Sequence, residues 1–293
     1  MLNHGRGVFV VPEALSGASR WLAARRLPLT NLPGGGYIKL HPAEGRKLPS
    51  LGARPSCMYA LILAGGKGER LRPLTDTLPK PMVPLCGKPI LAHQVDWLKG
   101  AGITDVVFLA GYRWEAIRDY FGDGRRFGIH AHYSVEETPL GRGGAIRKGF
   151  PLVPEAEHTV VVLNGDIVTA ERLEVLLDRH REKKAANPSH LATIMVVPMV
   201  SPYGLVDLDG HDEVVGFREK VEIPHWINAG IYLLERGIAS ELPETGDHET
   251  ETFPRLARTG RIAALKTKAF WRSVDSFKDL RDAEEYLSRQ APA

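Results

Sequence analysis

The sequence contains very little cysteine and no long hydrophobic run. Cys57 and Cys86 are the only cysteines among 293 residues, too few for a disulfide framework or a cysteine-based zinc cluster. No uninterrupted apolar segment approaches the roughly 18 residues that a membrane span requires. The composition therefore predicts a soluble protein of a reducing compartment, the cytoplasm, with no membrane partner.

A strong positive charge is also missing from most of the chain. The formal net charge is +3, but residues 1–57 contain eight Lys and Arg against two Asp and Glu, whereas residues 58–293 contain 30 against 33. The two parts therefore carry net charges of +6 and −3. Proteins that bind nucleic acid through a cationic face neutralise many phosphates at once. The charge distribution thus disfavours nucleic acid as a partner of residues 58–293.

Residues 1–57 differ in pattern from the rest of the chain. Leu-Pro, Pro-Gly-Gly-Gly and Lys-Leu-Pro interrupt them, and no period of 2 or 3.6 is sustained. We interpret this segment as a poorly ordered extension. Its Arg-rich, acid-poor composition resembles a transit peptide in outline, although the apolar core of a secretory signal is missing. The preferred alternative is that translation starts at Met58, which opens the first regular strand.

From Met58 onward, short apolar runs alternate with amphipathic segments. The runs MYALIL, DVVFLAG, HTVVVLNGD and HLATIMVVP are typical of strands that are buried on both faces. Amphipathic segments at 90–99, 114–121 and 170–183 indicate helices between them. This alternation predicts an α/β fold with an open sheet and right-handed crossovers. YGLVDLD, EVVGFREK and WINAGIYLLE follow as further strands, and a helix is predicted at 276–289.

A glycine-rich, cationic segment, LAGGKGERLRPLTDTLPKP, follows the first apolar run. In open α/β sheets, ligands bind outside the carboxyl ends of strands. Glycines let backbone N–H groups approach an anion, and cationic side chains neutralise phosphates. The segment is interpreted as a triphosphate cradle formed by Gly65, Gly66, Lys67, Gly68, Arg70, Arg72 and Lys80. It matches neither the Walker pattern nor GxGxxG, and a hairpin with solvated cations is the competing interpretation.

The longer stretch LAGGKGERLRPLTDTLPKPMVPLCGKPI resembles the signature of the sugar-1-phosphate nucleotidyltransferases, or nucleotide-sugar pyrophosphorylases. Matching segments follow in family order: YFGDG, EETPLGRGGAI, LNGD, FREK and NAGIYLL. The resemblance covers residues 58–293 and implies one nucleotidyltransferase domain. It further implies a Rossmann-like fold with an open, doubly wound, mixed but mostly parallel sheet, and a smaller β-rich portion that binds sugar.

The resemblance implies a reaction between a nucleoside triphosphate and a sugar 1-phosphate, with Mg²⁺ as cofactor. A sugar phosphate oxygen attacks the α-phosphorus in line and pyrophosphate leaves, without a covalent enzyme intermediate. Gly66 and Gly68 would contact the nucleotide through their backbone, Arg70 would bind the β- and γ-phosphates, and Lys80 the reacting phosphates. Such transfer depends on positioning and charge neutralisation more than on a nucleophilic side chain.

Two aspartates are candidate Mg²⁺ ligands. Asp166 ends the run TVVVLNGD, where a carboxylate can meet a hard cation and a phosphate. The competing interpretation is a hairpin turn at 164–165, in which Asp166 accepts only local backbone bonds. Asp275 follows AFWRSV and is the best match to the second metal-binding Asp of the family, so we expect it on the same sheet edge as Asp166. Its competing role is to cap the helix at 276–289.

Further residues are matched to the sugar and the nucleoside. The resemblance implies that Glu219 binds a sugar hydroxyl and Lys220 the sugar phosphate, whereas Asn228 offers a donor and acceptors for sugar hydroxyls. The competing interpretation of each of the three is an ordinary turn residue that binds no ligand. In PLGRGGA, Gly141 and Gly144 are expected to let the backbone approach the nucleoside, with loop flexibility as the alternative.

Some positions depart from the family pattern. Glu69 and Arg142 each stand where Thr is usual, Arg142 adding a long cation near the expected nucleoside pocket, and SVDSFKDL replaces DIGTPEDY. The opening segment and the short length favour guanylyl transfer to mannose or heptose 1-phosphate over thymidylyl or uridylyl transfer to a hexose 1-phosphate. The rival function is a catalytically silent, nucleotide-sugar-binding regulatory subunit. A homo-oligomer is compatible with either function.

Overall fold

The computed structural model describes residues 58–290, so the predicted extension at 1–57 lies outside the described residues. The strands are β1 (Tyr59–Ala64), β2 (Pro84–Leu85), β3 (Lys88–Pro89), β4 (Asp105–Ala110), β5 (His130–Val135), β6 (Thr159–Asn164), β7 (Ile167–Thr169), β8 (Ala192–Val200), β9 (Leu205–Leu208), β10 (Val214–Arg218), β11 (Glu222–Glu235), β12 (Ile262–Lys266) and β13 (Trp271–Ser273). The helices are α1 (Ile90–Gly100), α2 (Trp114–Phe121), α3 (Gly141–Gly149), α4 (Leu173–Ala186), α5 (Thr252–Arg258) and α6 (Phe277–Gln290).

Seven strands form the central sheet, in the order β12-β8-β11-β6-β1-β4-β5. All neighbours pair in parallel except β11, which is antiparallel to both β6 and β8. Ala60 lies opposite Val106 of β4 and Val161 of β6, and this register brings the carboxyl ends of the three strands to one edge. The predicted mixed, mostly parallel α/β sheet is confirmed.

Helices cover both faces of this sheet. Ala60 and Ile62 pack with α1, α2 and α4 in one core cluster, whereas Leu61 packs with α3 and α5 in another. This division follows from the alternation of side chains along a strand, and it confirms the doubly wound arrangement. A third cluster joins α6 to the segment around β2 and β3 through Leu85, Val274 and other apolar side chains.

Most predicted elements are present near their predicted positions. The predicted helix at 114–121 coincides with α2, and the helices at 90–99, 170–183 and 276–289 correspond to α1, α4 and α6. No local sequence pattern predicted α3 or α5. The nine residues of α3 include four glycines, which disfavour helix, so packing against the rest of the protein stabilises this helix.

A smaller β-rich portion extends from the central sheet. β9 and β10 pair only with each other, with Phe217 opposite Val206. β11 is 14 residues long and shifts register between Asn228 and Tyr232, where Gly230 has a φ of 70°. The residues predicted to bind sugar lie in this portion. Among the helices of residues 58–290, none is long and apolar enough to cross a membrane.

Candidate active site

The loop after β1 forms one wall of a cavity of about 340 Å³ through Gly65 and Gly66. Gly68 has a φ of 69°, and a Cβ atom there would lie 2.7 Å from the Cβ of Lys80. A glycine is therefore required both by the left-handed backbone and by the close approach of Lys80. The Gly68 carbonyl also accepts a hydrogen bond from Thr75 Oγ1 at 2.8 Å. The loop thus passes close to Lys80 and is held by Thr75.

Lys80 lies between the two predicted metal ligands. Its Nζ donates to Asp166 Oδ2 at 2.5 Å and to Asp275 Oδ1 at 2.7 Å. Its side chain is 12% exposed, so both contacts are partly shielded from water. The structure thus brings together three residues that the sequence analysis assigned to the reacting phosphates and the metal.

The charges of this cluster stabilise one another. Burial lowers the pKa of Lys80, but Asp166 and Asp275 together raise it by more, and the pKa is raised overall. Burial raises the pKa of Asp275, whereas Lys80, Ser273 and Arg70 lower it, with a net lowering. Arg70 Nη2 donates to Asp275 Oδ1 at 2.6 Å. At neutral pH the site therefore contains an ammonium, a guanidinium and the Asp275 carboxylate in contact.

The two aspartates meet through a small ribbon and not through the central sheet. Asp275 was expected at the carboxyl end of a strand in the central sheet, and this expectation is wrong. β13, which precedes Asp275, pairs only with β7, and β7 begins directly after Asp166. The Val274 amide donates to the Asp166 carbonyl at 2.9 Å. The hairpin alternative is also wrong, because β6 and β7 do not pair and the Gly165 amide donates to Leu63 O at 2.9 Å.

Ser276, not Asp275, caps the helix α6. Ser276 Oγ accepts the Asp279 amide at 3.3 Å and donates to Asp279 Oδ2 at 2.7 Å, while its carbonyl accepts the Leu280 amide. Acceptance of the amide at the third helical position by a serine hydroxyl is the usual N-cap hydrogen bond. Asp275 Oδ2 instead accepts from Ser273 Oγ at 2.8 Å. The capping role that competed with metal binding at Asp275 is therefore absent.

The donor set at this ribbon fits a magnesium ion. Asp166 Oδ1 is buried and has no hydrogen-bond partner among the described residues. A buried carboxylate oxygen without a partner is costly, and a neighbouring cation would remove this cost. Within residues 58–290, no group of three or more His, Cys, Asp and Glu could hold a metal. Mg²⁺ commonly binds one or two carboxylates together with substrate phosphates and water, which suits Asp166 and Asp275.

The cavity lies where β1 and β6 end and α3 begins. Besides the glycine loop, Lys80 and Asp166, it is lined by Leu63, Pro81, Leu109, Glu136, Pro139, Gly141, Arg142, Ala145, Asn164 and Gly165. Glu136 follows β5, and its Oε2 accepts the Leu140 amide at 3.0 Å. The lining combines apolar walls with a few fixed polar groups, as small-molecule sites do.

The glycines of α3 allow a neighbouring loop to approach closely. Gly141 lines the cavity and has a φ of 74°, but a Cβ atom there would also lie 2.4 Å from Gly246 O. The same carbonyl accepts the Gly143 amide at 2.9 Å. Gly144 does not line the cavity, and a Cβ atom on it would lie 2.4 Å from Glu244 O. Docking of this loop gives a second reason for these glycines besides approach to a nucleoside.

Arg142 reaches the cavity but is held by the same loop. Its Nε donates to Asp247 Oδ2 at 2.8 Å and its Nη1 to Glu249 Oε1 at 2.6 Å, and Nη2 also contacts Asp247. Burial raises the pKa of Asp247, but the Glu249 amide and Arg142 lower it overall. The cation that departs from the family pattern therefore has its own pair of carboxylates.

The predicted sugar-binding residues do not line this cavity. The Asn228 side-chain Nδ2 donates to Tyr232 Oη at 2.8 Å and to Glu249 Oε1 at 3.0 Å, and its Oδ1 accepts the backbone amide of Gly230. Both of its donors are thus used within the protein. Glu219 and Lys220 are exposed at the end of the β9–β10 portion. Their sugar contacts, and that of Asn228, stay predictions.

Lys67 is likewise exposed and absent from the cavity lining.

Several residues of the site were not predicted as site residues. Glu136 was quoted only within the matching segment EETPLGRGGAI, and Asn164 only within LNGD and as part of a possible hairpin turn. Glu249 was not considered, because no local pattern shows that the chain after β11 folds back onto α3. Position within a matched motif was the available signal for the first two.

These features define an α/β protein with a charged cavity at the carboxyl ends of its strands, where phosphates and a hard cation would meet. The family described as nucleotidyl transferase matches residues 59–290. The chain therefore belongs to the nucleotidyl transferase family.

Curated relatives carry names of sugar-phosphate nucleotidyltransferases. The mannose-1-phosphate guanylyltransferase of Mycobacterium tuberculosis is 36% identical over 243 residues, covering 80% of this chain and 66% of that protein. The UTP–glucose-1-phosphate uridylyltransferase of Synechocystis is 34% identical over 222 residues, covering 69% of this chain and 56% of that protein. The chain thus spans about two thirds or less of the length of these relatives.

Solved structures share the fold. A putative glucose-1-phosphate thymidylyltransferase from Bacillus anthracis aligns with a TM-score of 0.63 at 22% identity, covering 80% of this chain and 97% of that chain. HddC from Yersinia pseudotuberculosis, complexed with GMP-PN, aligns with a TM-score of 0.61 at 24% identity, covering 78% and 99%. At these identities the likeness shows the fold alone.

Proposed function

We propose that the protein transfers a nucleoside monophosphate from a nucleoside triphosphate to a sugar 1-phosphate. An oxygen of the sugar phosphate forms a bond to the α-phosphorus while the bond from that phosphorus to the bridging oxygen of the β-phosphate breaks. The products are a nucleoside diphosphate sugar and pyrophosphate. The observation that carries this proposal is the contact of Lys80 with Asp166 and Asp275 at the wall of the 340 Å³ cavity.

The residues of the chain act by placement and by charge. The backbone at Gly65 and Gly66 lines the cavity and can approach the triphosphate closely. Lys80 supplies a positive charge where negative charge builds up on the α-phosphate, and Arg70 supplies another at the exposed mouth of the site. Preorganised charges of this kind lower the barrier because they need no rearrangement during the reaction. No side chain has to act as a nucleophile.

The proposed cofactor is Mg²⁺, which Asp166 and Asp275 would hold. A bound Mg²⁺ would neutralise charge on the phosphates and orient them. The proposal also includes a cytoplasmic location, which the sparse cysteine content favours.

Within this reaction we favour GTP with mannose or heptose 1-phosphate. The support is the 36% identity to a mannose-1-phosphate guanylyltransferase over 80% of this chain. The 34% identity to a uridylyltransferase of glucose 1-phosphate keeps UTP or dTTP with a hexose 1-phosphate as the second candidate.

A catalytically silent regulatory subunit is the rival from another functional class. A protein that only binds a nucleotide sugar does not need a lysine held between two carboxylates, one of which has an oxygen without a partner in the described part of the chain. The retained cluster therefore favours the enzyme.

The test is a matrix assay of pyrophosphate release, in which each nucleoside triphosphate is combined with several sugar 1-phosphates in the presence of Mg²⁺. We expect the highest kcat/KM with GTP and mannose or heptose 1-phosphate. Activity only with UTP or dTTP would select the second candidate. If every combination is inactive while nucleotide sugars still bind, the protein is a regulatory subunit.

A further inference from the structure

Gln94 is a buried polar residue that the proposed chemistry does not use. It lies on α1 and is 4% exposed, among apolar neighbours such as Leu91 and Val95. Its Nε2 donates to the Asn164 carbonyl at 2.7 Å and to the Ile167 carbonyl at 3.0 Å. Because both partners are carbonyls, the NH₂ group and not the oxygen must face them.

These two carbonyls lie on either side of Gly165 and Asp166. One amide group therefore bridges the loop that carries the candidate metal ligand and joins β6 to β7. Gln94 Oε1 is buried without a hydrogen-bond partner among residues 58–290. A buried, unpartnered oxygen costs free energy, so the hydrogen bonds of the NH₂ group have to compensate for it.

Two other backbone groups of the loop are also held. The Gly165 amide donates to Leu63 O at 2.9 Å, and the Asp166 carbonyl accepts the Val274 amide at 2.9 Å. Three residues beyond Gln94 on the same helix, Trp97 Nε1 donates to the Glu171 carbonyl at 2.8 Å. Helix α1 thus contacts the chain on both sides of Asp166, and Gln94 makes the contacts nearest to it.

From this geometry we infer that Gln94 is a positioning residue, which holds the loop at 164–167 so that the Asp166 carboxylate meets Lys80 and a divalent cation. The inference rests on the proposed function for its catalytic consequence, but not for its structural one. Residues that orient a metal ligand commonly contribute about 10- to 100-fold to metal affinity or activity.

The test compares Gln94→Met with Val95→Ala. Methionine keeps the length of the side chain but cannot donate to the two carbonyls. Val95, 1% exposed and also on α1, supplies a matched loss of packing that leaves the loop contacts in place. Both variants are expected to lower the melting temperature, which provides the baseline for a merely structural effect.

Three measurements distinguish positioning from stability. The affinity for Mn²⁺ is measured from the electron paramagnetic resonance signal of the free ion. It should fall about 10- to 100-fold in Gln94→Met and stay unchanged in Val95→Ala. Hydrogen exchange at the Gly165 and Val274 amides should be faster in Gln94→Met only. In the pyrophosphate assay, kcat should fall and the Mg²⁺ requirement rise, while the KM for the sugar 1-phosphate changes little.

Equal Mn²⁺ affinity and equal exchange at Gly165 in the two variants would overturn the inference. If Gln94→Met does not fold, Gln94→Glu replaces it, because a neutral buried carboxyl can still donate to one of the two carbonyls. This variant should show an intermediate loss of Mn²⁺ affinity, and an unchanged affinity would contradict the inference. A wild type that releases no pyrophosphate refutes the proposed function, whereas the binding and exchange measurements still decide the role of Gln94.

Discussion

The ammonium of Lys80 lies 2.7 Å from the carboxylate of Asp275, across 195 residues of sequence. The loop after β1 carries the first residue, and the junction between β13 and α6 carries the second. The same ammonium contacts Asp166 at 2.5 Å. A single lysine therefore joins three segments of the chain, and each of them can be tested separately.

Lys80→Ala should reduce kcat by about 100-fold, because one positive charge at the reacting phosphate is lost. The KM values should change less, since the charge acts mainly in the transition state. Steady-state kinetics of pyrophosphate release measure both. Lys88→Ala is the control, because Lys88 pairs with Asp96 at an exposed position. A raised KM with an unchanged kcat would assign Lys80 to uniform substrate binding instead.

Asp275→Asn should lower kcat strongly, raise the Mg²⁺ requirement and lower the melting temperature modestly, because the ion pairs of Asp275 with Lys80 and Arg70 are lost. Asparagine keeps the shape of the side chain but lacks the charge that binds Mg²⁺. Ser276→Ala is the matched control: it removes the helix cap, should cost about 0.5–2 kcal/mol of stability, and should leave kcat unchanged. Thermal melts and Mg²⁺ titrations of activity measure these effects. Normal turnover of Asp275→Asn at sub-millimolar Mg²⁺ would leave the metal to Asp166 and the phosphates.

Arg142→Thr should destabilise the protein by about 1–2 kcal/mol, because it leaves Asp247 and Glu249 without their cation in a half-buried site. Urea denaturation measures the change. The double variant Arg142→Thr with Asp247→Asn should lose less stability than the two single variants added together. Each single variant already breaks the same ion pair and leaves one charged partner behind. Arg118→Ala, at an exposed ion pair, is the control. Additive costs would show that Arg142 and Asp247 do not stabilise each other.

His248 should make the protein less stable in acid. The side chain is fully buried and neither ring nitrogen has a hydrogen-bond partner among the described residues. Burial lowers the pKa of His248 from 6.5 to about 4, Asp247 opposes this shift and Arg142 adds to it. Between these values the unfolded chain binds a proton that the folded protein excludes, so stability is lost as the pH falls from about 6.5 to about 4.

The variant His248→Leu isolates this contribution. A shift of this size corresponds to on the order of 3 kcal/mol at the acid end of the range. The difference in unfolding free energy between the variant and the wild type should therefore grow in favour of the variant as the pH is lowered from 7 to 4.5. Urea denaturation at a series of pH values measures it. A difference that is independent of pH would contradict the lowered pKa.

A chain that begins at Met58 should fold and keep full activity. Residues 58–290 contain three apolar clusters, built from buried side chains of that range. Melting temperature and turnover should match those of the full chain. A clear loss of either would show that residues 1–57 are a docked part of the protein and not a separate extension.

The amino-acid sequence determined the alternation of buried strands and amphipathic helices, and with it the α/β class. The run DVVFLA is buried along its whole length in β4, which is a local property that hydrophobicity reveals. The charged segment after β1 could also be placed at the carboxyl end of a strand, because parallel strands share that edge. Lys80 and Asp166 could therefore be placed together, whereas Asp275 was a candidate through the family resemblance. The roles of all three stay predictions.

Only the tertiary structure decided how these candidates meet. Asp275 reaches Asp166 because β13 pairs with β7, and antiparallel pairing of two three-residue strands leaves no local signal in either of them. Helix α3 forms despite its glycines because the loop around Gly246 docks on it. The contacts of Gln94 and Glu249 could not be predicted for a similar reason. Their hydrogen-bond partners are distant in sequence, and such bonds depend on how the whole chain packs.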